Sequence, residues 1–261
     1  MSNFGKSPIE TSICDADRTS ISVRGEDLCN SLMGGLSLSG FFYFHLTGKK
    51  PEPNQVKMLD ALIISIAEHG LSPAAISARM TYASAPEAVQ GAVAAGVLGV
   101  GSVVLGATDE AAKVLVRAIQ ACEAGQAAKA VAFEIATEHH SKGEKLPGFG
   151  HPLHKPTDPR SDRLIQLARD YGVSGPHTKF LTELSAAADE VWGKPLVVNV
   201  QAPIASIALD MGLPDILTKA IPIIARAIGV LGHIAEEIER PIGFSATMAV
   251  NKAAKYVPPQ S

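Results

Sequence analysis

A chain of 261 residues, 46% hydrophobic and with a net charge of −3, can bury a sizeable core as one large domain or as a large domain with a smaller companion. The slight acidic excess and a pI near 6.2 exclude the broad basic surface that neutralises nucleic-acid phosphates. The 3 cysteines, Cys14, Cys29 and Cys122, form no Cys-x-x-Cys spacing, and the start from Met1 to Pro8 lacks the apolar core of a signal peptide; both features predict a cytoplasmic protein.

Ala, Leu, Ile and Val dominate while aromatic residues make up 5%, which favours closely packed helices. Apolar spacings of three and four predict short helices over 25–34 and 37–46, ended by the turn at 48–53. From Asn54 the residues Val56, Leu59, Leu62, Ile63, Ile66 and Ala67 fall on one helical face as far as His69, where Gly70 stops the run. Pro73 and Ala85-Pro86-Glu87 mark two further helix starts. The segment 90–104 is the most apolar helix, and the stretch 93–106 is shorter than the ~20 residues that cross a bilayer, so no membrane is expected. Amphipathic helices follow over 109–124 and 126–140. Helices resume over 161–171, 175–192, 200–211 and 215–240, the last with a kink at Pro222, before the non-helical tail at Val257. No sustained alternation of apolar and polar residues appears, so the fold class is all-α.

Between the two sets of helices lies a Gly/Pro-rich interruption, 142–158, and loops of that length inside a compact domain are usually functional. With its flanks it gathers Lys142, Lys145, His151, His154, Lys155 and Arg160 around glycines that permit close backbone approach to a ligand. Arg160 offers a planar fork for a carboxylate, and a histidine beside such a clamp can donate to a carbonyl or take a hydroxyl proton. The segment therefore suits a small polycarboxylic or 2-oxo acid; the alternative is a solvated connection with a few structural histidines. His151 and His154 have no acidic or cysteine ligand at a supporting spacing, so no metal is expected. His139 and His140 suit a helix C-terminus, His45 and His177 read as surface or capping residues, Cys122 as core and Trp192 as packing.

At Leu146-Pro-Gly-Phe-Gly-His151 and Asp158-Pro-Arg160 the chain resembles the citrate synthase superfamily in spacing as well as residue type. Glu68-His69-Gly70 is similar to the family's histidine at a helix end, Arg226 to His233 to its Arg-x-x-Gly-x-x-x-His element, and Arg24-Gly-Glu-Asp-Leu to its Arg-Gly-Tyr-Asp-Leu element. The likeness runs from about Ile21 to Gly243. The short length and Glu-His-Gly-Leu-Ser-Pro resemble citryl-CoA lyases and the lyase module of ATP-citrate lyase.

The resemblance implies a citrate synthase fold, with a large helical domain of residues 1–105 and 201–261, a smaller one of 106–200, and the site in the cleft between them. It implies that His151 hydrogen-bonds the oxaloacetate carbonyl or citryl hydroxyl, that His69 holds the same ligand, that Arg160 and Arg226 grip its carboxylates, and that Arg240 reaches into a neighbouring subunit's site. The backbone of Leu146, Pro147, Gly148, Phe149 and Gly150 would lie against the adenine of coenzyme A, with the CoA thioester as substrate and no tightly bound cofactor. A homodimer or dimer of dimers follows, with the apolar 85–105 region at the interface.

Two departures bear on the chemistry. Gly101-Ser-Val-Val-Leu-Gly-Ala107 puts Val104 where the family has a proton-transfer histidine, and Asn199-Val-Gln201 has an amide where it has a catalytic aspartate. Acid/base groups contribute typically ~100- to 10,000-fold each, so ordinary citrate synthase activity is not expected. Three readings follow. The first is a citryl-CoA lyase-like enzyme cleaving a 3-hydroxyacyl-CoA, with His151 taking the hydroxyl proton and water, Ser102 or Gln201 assisting at the enolate. The second is a CoA-independent lyase or decarboxylase of a 2-oxo or hydroxy polycarboxylic acid. The third is a non-catalytic carboxylate sensor or regulatory homologue.

Overall fold

The computed structural model describes residues 10–101 and 107–259, and its chain divides into two units, Met1–Asp60 and Ala61–Ser261. In the first unit, strands β1 (Cys14–Ala16), β2 (Ile21–Val23) and β3 (Glu26–Asp27) form an antiparallel sheet in that order. The pairing of Val23 with Glu26 leaves Arg24 and Gly25 as a two-residue turn, with φ of 54° and 81°. Positive φ at both positions matches the twist of a hairpin, and the non-glycine Arg24 is held there by Nε and Nη2 donating to the His45 carbonyl at 3.2 and 2.9 Å. This hairpin replaces much of the helix expected over 25–34, of which a π-helical turn, Leu28–Leu32, remains. Helix α1 (Leu38–Thr47) follows, capped by Ser37 and ended by left-handed Gly48. Val23, Leu32 and Phe44 form a small core here.

Helix α2 (Pro53–Ala67) carries the chain into the second unit and buries Met58, Leu59, Leu62 and Ile66. It stops before His69, which lies in the turn ahead of left-handed Gly70. Helices α3 (Pro73–Ser84), α4 (Val89–Leu98) and α11 (Ala220–Glu239) pack through Ala78, Ala92, Val230 and Ile234. A larger core joins α5 (Thr108–Glu123), α6 (Ala128–Ser141), α8 (Pro176–Trp192) and α9 (Gln201–Asp210), and it takes in Leu146 and Phe149 from the long loop. Helices α7 (Pro159–Asp170), α10 (Asp215–Thr218) and α12 (Gly243–Ala253) complete the unit. The mostly helical architecture is as the sequence predicts.

Three further details differ. Helix α4 ends at Leu98 with Gly99 as its cap, short of the expected 104; Ser102 and Val104 lie outside the described residues. The expected single helix over 215–240 is two, separated at Lys219, and Pro222 falls in the first turn of α11, where a missing N–H leaves no intrahelical bond unmade. Helix α12 was not anticipated. Its start is held by Glu237, whose carboxylate accepts from the N–H groups of Ile242 and Gly243 and pairs with buried Arg79 at 2.6 Å.

The stretch Asp215–Glu239 is long and apolar enough to cross a membrane by length and composition alone. In the fold, the inward face of α11 packs on α3 and α4 and buries Arg226 and Glu237, while 39% of the apolar window is buried.

Candidate active site

The Arg-x-x-Gly-x-x-x-His spacing on α11 places Arg226, Gly229 and His233 along one helical face, and that face receives three successive residues at the end of α2. Arg226 Nη2 donates to the Ile66 carbonyl at 3.0 Å. A Cβ on Gly229 would collide with the Ala67 carbonyl, so only glycine permits this approach. His233 Nε2 donates to Glu68 Oε1 at 3.0 Å, and the same oxygen accepts from the N–H groups of His69 (2.8 Å) and Gly70 (2.7 Å). Glu68 thus folds the turn that presents His69. Partial burial alone would raise its carboxyl, yet the His233 and backbone hydrogen bonds hold it below the usual range.

The Asp-Pro-Arg motif is a helix start: Asp158 caps α7, Pro159 takes the first position, and Arg160 follows. Asp158 is fully buried. Its carboxylate accepts from Arg160 Nε (3.0 Å), Arg160 Nη2 (2.8 Å) and the N–H of Val200 (3.1 Å). One edge of the guanidinium is therefore used internally, and Nη1 with the outer Nη2 hydrogen is left for a ligand.

The loop ahead of this motif is pinned to 197–199. Gly150 N–H donates to the Val197 carbonyl, Asn199 N–H to the Gly148 carbonyl, and Asn199 Nδ2 to the Gly150 carbonyl, at 2.7 to 2.9 Å. Gly148, with φ of 83°, has Ala202 Cβ 2.7 Å from where its own Cβ would be, so no other residue fits.

These two constructions bring His69, His151 and His154 together, with ring centroids 5.8 Å apart for His69 and His151, 5.6 Å for His69 and His154, and 4.3 Å for His151 and His154. His151 Nδ1 accepts from the N–H groups of Leu153 (3.1 Å) and His154 (2.9 Å). Those donors assign the His151 proton to Nε2. Nε2 lies 3.4 Å from Arg160 Nη2; both are donors, so a single acceptor oxygen between them would satisfy both. Loss of water, then the His154 ring and Arg160, hold His151 below the ordinary histidine range; loss of water, then Arg160, His154 and Arg226, do the same to His69. Both are neutral donors at neutral pH.

Arg226 is 1% exposed, and its Nε and Nη1 have no hydrogen-bond partner among the described residues. Burial presses it below the usual guanidinium range, Glu68 opposing and Arg160 adding to the effect. A buried, partly unpaired guanidinium is costly without an anion. The cluster therefore combines two arginines and two neutral histidine donors, a set suited to a carboxylate-bearing ligand with a carbonyl or hydroxyl oxygen.

Ring nitrogens of the three histidines lie within 4.8 Å of one another, a spacing a metal ion could bridge. The His151 tautomer does not fit that use. A histidine ligating through Nε2 carries its proton on Nδ1, and here Nδ1 already faces two backbone N–H donors.

Of the residues singled out from sequence, His69, His151 and Arg160 converge, and Arg226 is bonded to the end of α2 at Ile66, three residues before His69. The Gln201 amide oxygen accepts from the Ala107 N–H at 2.8 Å. Arg240 is exposed, its carbonyl held by Arg79 Nη2 at 2.8 Å, and no hydrogen bond or ion pair ties its side chain to the histidines among the described residues. Leu146, Gly148 and Phe149 are buried beside 197–202, Pro147 is half-buried and Gly150 exposed. Sequence reasoning missed the positioning roles of Glu68, Asp158 and His233 and the place of the His154 ring in the cluster. The signal for the first three was their fixed spacing from an arginine or histidine already suspected.

The citrate synthase C-terminal domain family matches residues 16–242. A citryl-CoA lyase structure from Hydrogenobacter thermophilus superposes with a TM-score of 0.85 at 30% identity, covering 97% of this chain and 96% of that one. An ATP citrate lyase from Methanothrix soehngenii, in complex with citrate and coenzyme A, shares the fold at a TM-score of 0.76 and 20% identity, with 97% of this chain and 42% of that one covered. Citrate synthase from Heyndrickxia coagulans is 26% identical over 208 residues, 78% of this chain and 53% of that protein. The chain spans about half the length of the curated relatives it matches.

Proposed function

Because this chain belongs to the citrate synthase family, we propose that it is a carbon–carbon lyase of the citryl-CoA lyase kind. It would cleave citryl-CoA or a related 3-hydroxyacyl-CoA into an oxaloacetate-like 2-oxo acid and an acyl-CoA. The observation that carries this reading is the end-to-end likeness to a citryl-CoA lyase, together with a donor cluster built for an oxygen-rich anion. Arg226 and the free edge of Arg160 bind the carboxylates. His151 Nε2–H and Arg160 Nη2 donate to the oxygen that becomes the 2-oxo carbonyl, where preorganised donors lower the barrier. The thioester is substrate rather than resident cofactor, its adenine assigned to the backbone of 146–150.

The test is incubation with synthetic citryl-CoA, following acetyl-CoA and oxaloacetate release. Complete inertness at high protein concentration would sink the proposal.

One observation favours a second reading, acid binding without thioester chemistry: Gln201 stands where a carboxylate base is needed and its oxygen is engaged at Ala107. Thermal shift with oxaloacetate or citrate, with and without CoA, separates the two, since CoA-independent stabilisation alone supports acid binding only. We further propose a cytoplasmic homodimer or dimer of dimers. Exposed Ile223, Ile228 and Leu231 on α11 with Phe244 and Met248 on α12 support the assembly, and the free Cys14, Cys29 and Cys122 support the compartment.

A further inference from the structure

Cleavage of a 3-hydroxyacyl thioester requires a proton to leave a hydroxyl oxygen and another to reach the carbon released from the broken bond. We infer that His154 performs both transfers, an inference that rests on the cleavage reading above.

Among the described residues, the other candidates are less suited to take the proton. His151 has no lone pair to offer: Nδ1 is occupied by the N–H groups of Leu153 and His154, and Nε2 carries the proton. Gln201 is an amide, its oxygen already accepting from Ala107. His69 comes from a separate turn, its ring 5.8 Å from that of His151 and meeting it edge-on rather than lying over it.

His154 differs from all three. Its ring lies over that of His151, centroids 4.3 Å apart and planes 31° from parallel, and 5.6 Å from the His69 centroid. It is half-buried, and no side-chain hydrogen bond engages its ring among the described residues. One residue therefore does two things: its main-chain N–H locks His151 as a donor, and its imidazole keeps a free lone pair beside that donor.

The chemistry balances within the substrate. His154 takes the hydroxyl proton as the carbonyl forms; the electron pair of the breaking carbon–carbon bond passes to the thioester side as an enolate. The oxygen and the enolate carbon flank the same carbinol carbon, so the imidazolium can return its proton to the enolate carbon, which becomes the methyl or methylene carbon of the released acyl-CoA, and ends neutral. No oxidant, reductant or further reactant is needed. The pairing of a fixed donor with a free neighbouring imidazole supplies what Val104 and Gln201 do not.

Two variants test this, since the main-chain bond to His151 survives any replacement other than proline. His154→Phe keeps a stacked ring without nitrogen, and His154→Ala leaves space for added imidazole. With citryl-CoA as substrate and far-ultraviolet circular dichroism as the folding control, kcat is expected to fall about 100-fold or more in both. KM and calorimetric oxaloacetate affinity stay within about threefold of wild type. Free imidazole restores part of the His154→Ala rate. An active wild type with undiminished variant kcat overturns the inference alone, as does a loss of oxaloacetate affinity in step with rate. Activity abolished by a chelator and restored by zinc overturns it in favour of a metal on the three histidines. A wild type inert toward citryl-CoA overturns the cleavage reading and the inference with it.

Discussion

Asp158 and Arg160, two residues apart, form a bidentate pair, Nε to Oδ1 at 3.0 Å and Nη2 to Oδ2 at 2.8 Å, with the carboxylate fully buried. Charge-assisted pairs of this kind fix orientation as well as energy. Arg160 is therefore aimed before any ligand arrives, and the loop through His151 is aimed with it.

Asp158→Asn keeps the shape but leaves an arginine or the Val200 N–H short of an acceptor, and should cost about 1–3 kcal/mol. Urea unfolding measures this, and calorimetry should show weakened oxaloacetate binding. The pH dependence has a defined sign. Burial alone would raise the Asp158 carboxyl, but Arg160 and the backbone of Arg160 and Val200 bring it below its ordinary value. Its contribution is present above about pH 4 and is lost as pH falls through the folded value; the variant should lack this acid-sensitive part.

His69 and His151 are both held below the ordinary histidine range. The unfolded chain then binds more protons than the folded one, so stability should fall as pH drops below about 6.5. His69→Gln and His151→Gln should each flatten that decline in thermal unfolding between pH 7.5 and 5. An unchanged slope in both would contradict the neutral-donor assignment.

Gly229→Ala should damage the site without touching a ligand. Its Cβ meets the Ala67 carbonyl, so α11 or the end of α2 must shift, moving Arg226 and the Glu68–His233 contact together. Calorimetric affinity for oxaloacetate should drop at least as far as the melting temperature suggests, and wild-type affinity would show that this approach does not position the site.

Arg79→Ala removes the partner of a buried carboxylate: Arg79 and Glu237 are each 3% exposed. Breaking such a pair costs about 3–5 kcal/mol, to be read from chemical denaturation. The Ile242 and Gly243 N–H groups bonded to Glu237 should gain hydrogen-exchange rate in the variant.

The helices and half of the site are legible in the sequence because they rest on local rules. Three- and four-residue apolar spacing marks α2, α5 and α8, and the Gly/His/Arg density marks the 142–160 segment. The hairpin of 14–27 is not, since strands of 2 and 3 residues are too short to show alternation and the turn is Arg-Gly rather than Asn-Gly. Helix α12 is hidden by its mostly exposed residues, which leave no buried stripe to read. Glu68 and His233 show only a suggestive spacing in sequence, because their pairing comes from the closure of distant segments; for Asp158 the spacing to Arg160 is visible, but its contact with Val200 is not. The His151 tautomer depends on how the loop turns back at Leu153 and His154, which no residue pattern encodes.

Arg226 carries one more consequence. A buried guanidinium with two unpaired nitrogens could be replaced by a methionine or leucine with no loss of fold stability, and often with a gain. An acid seated as proposed would supply the partners that those two nitrogens lack, so Arg226→Met should abolish acid binding in calorimetry while the melting temperature changes little.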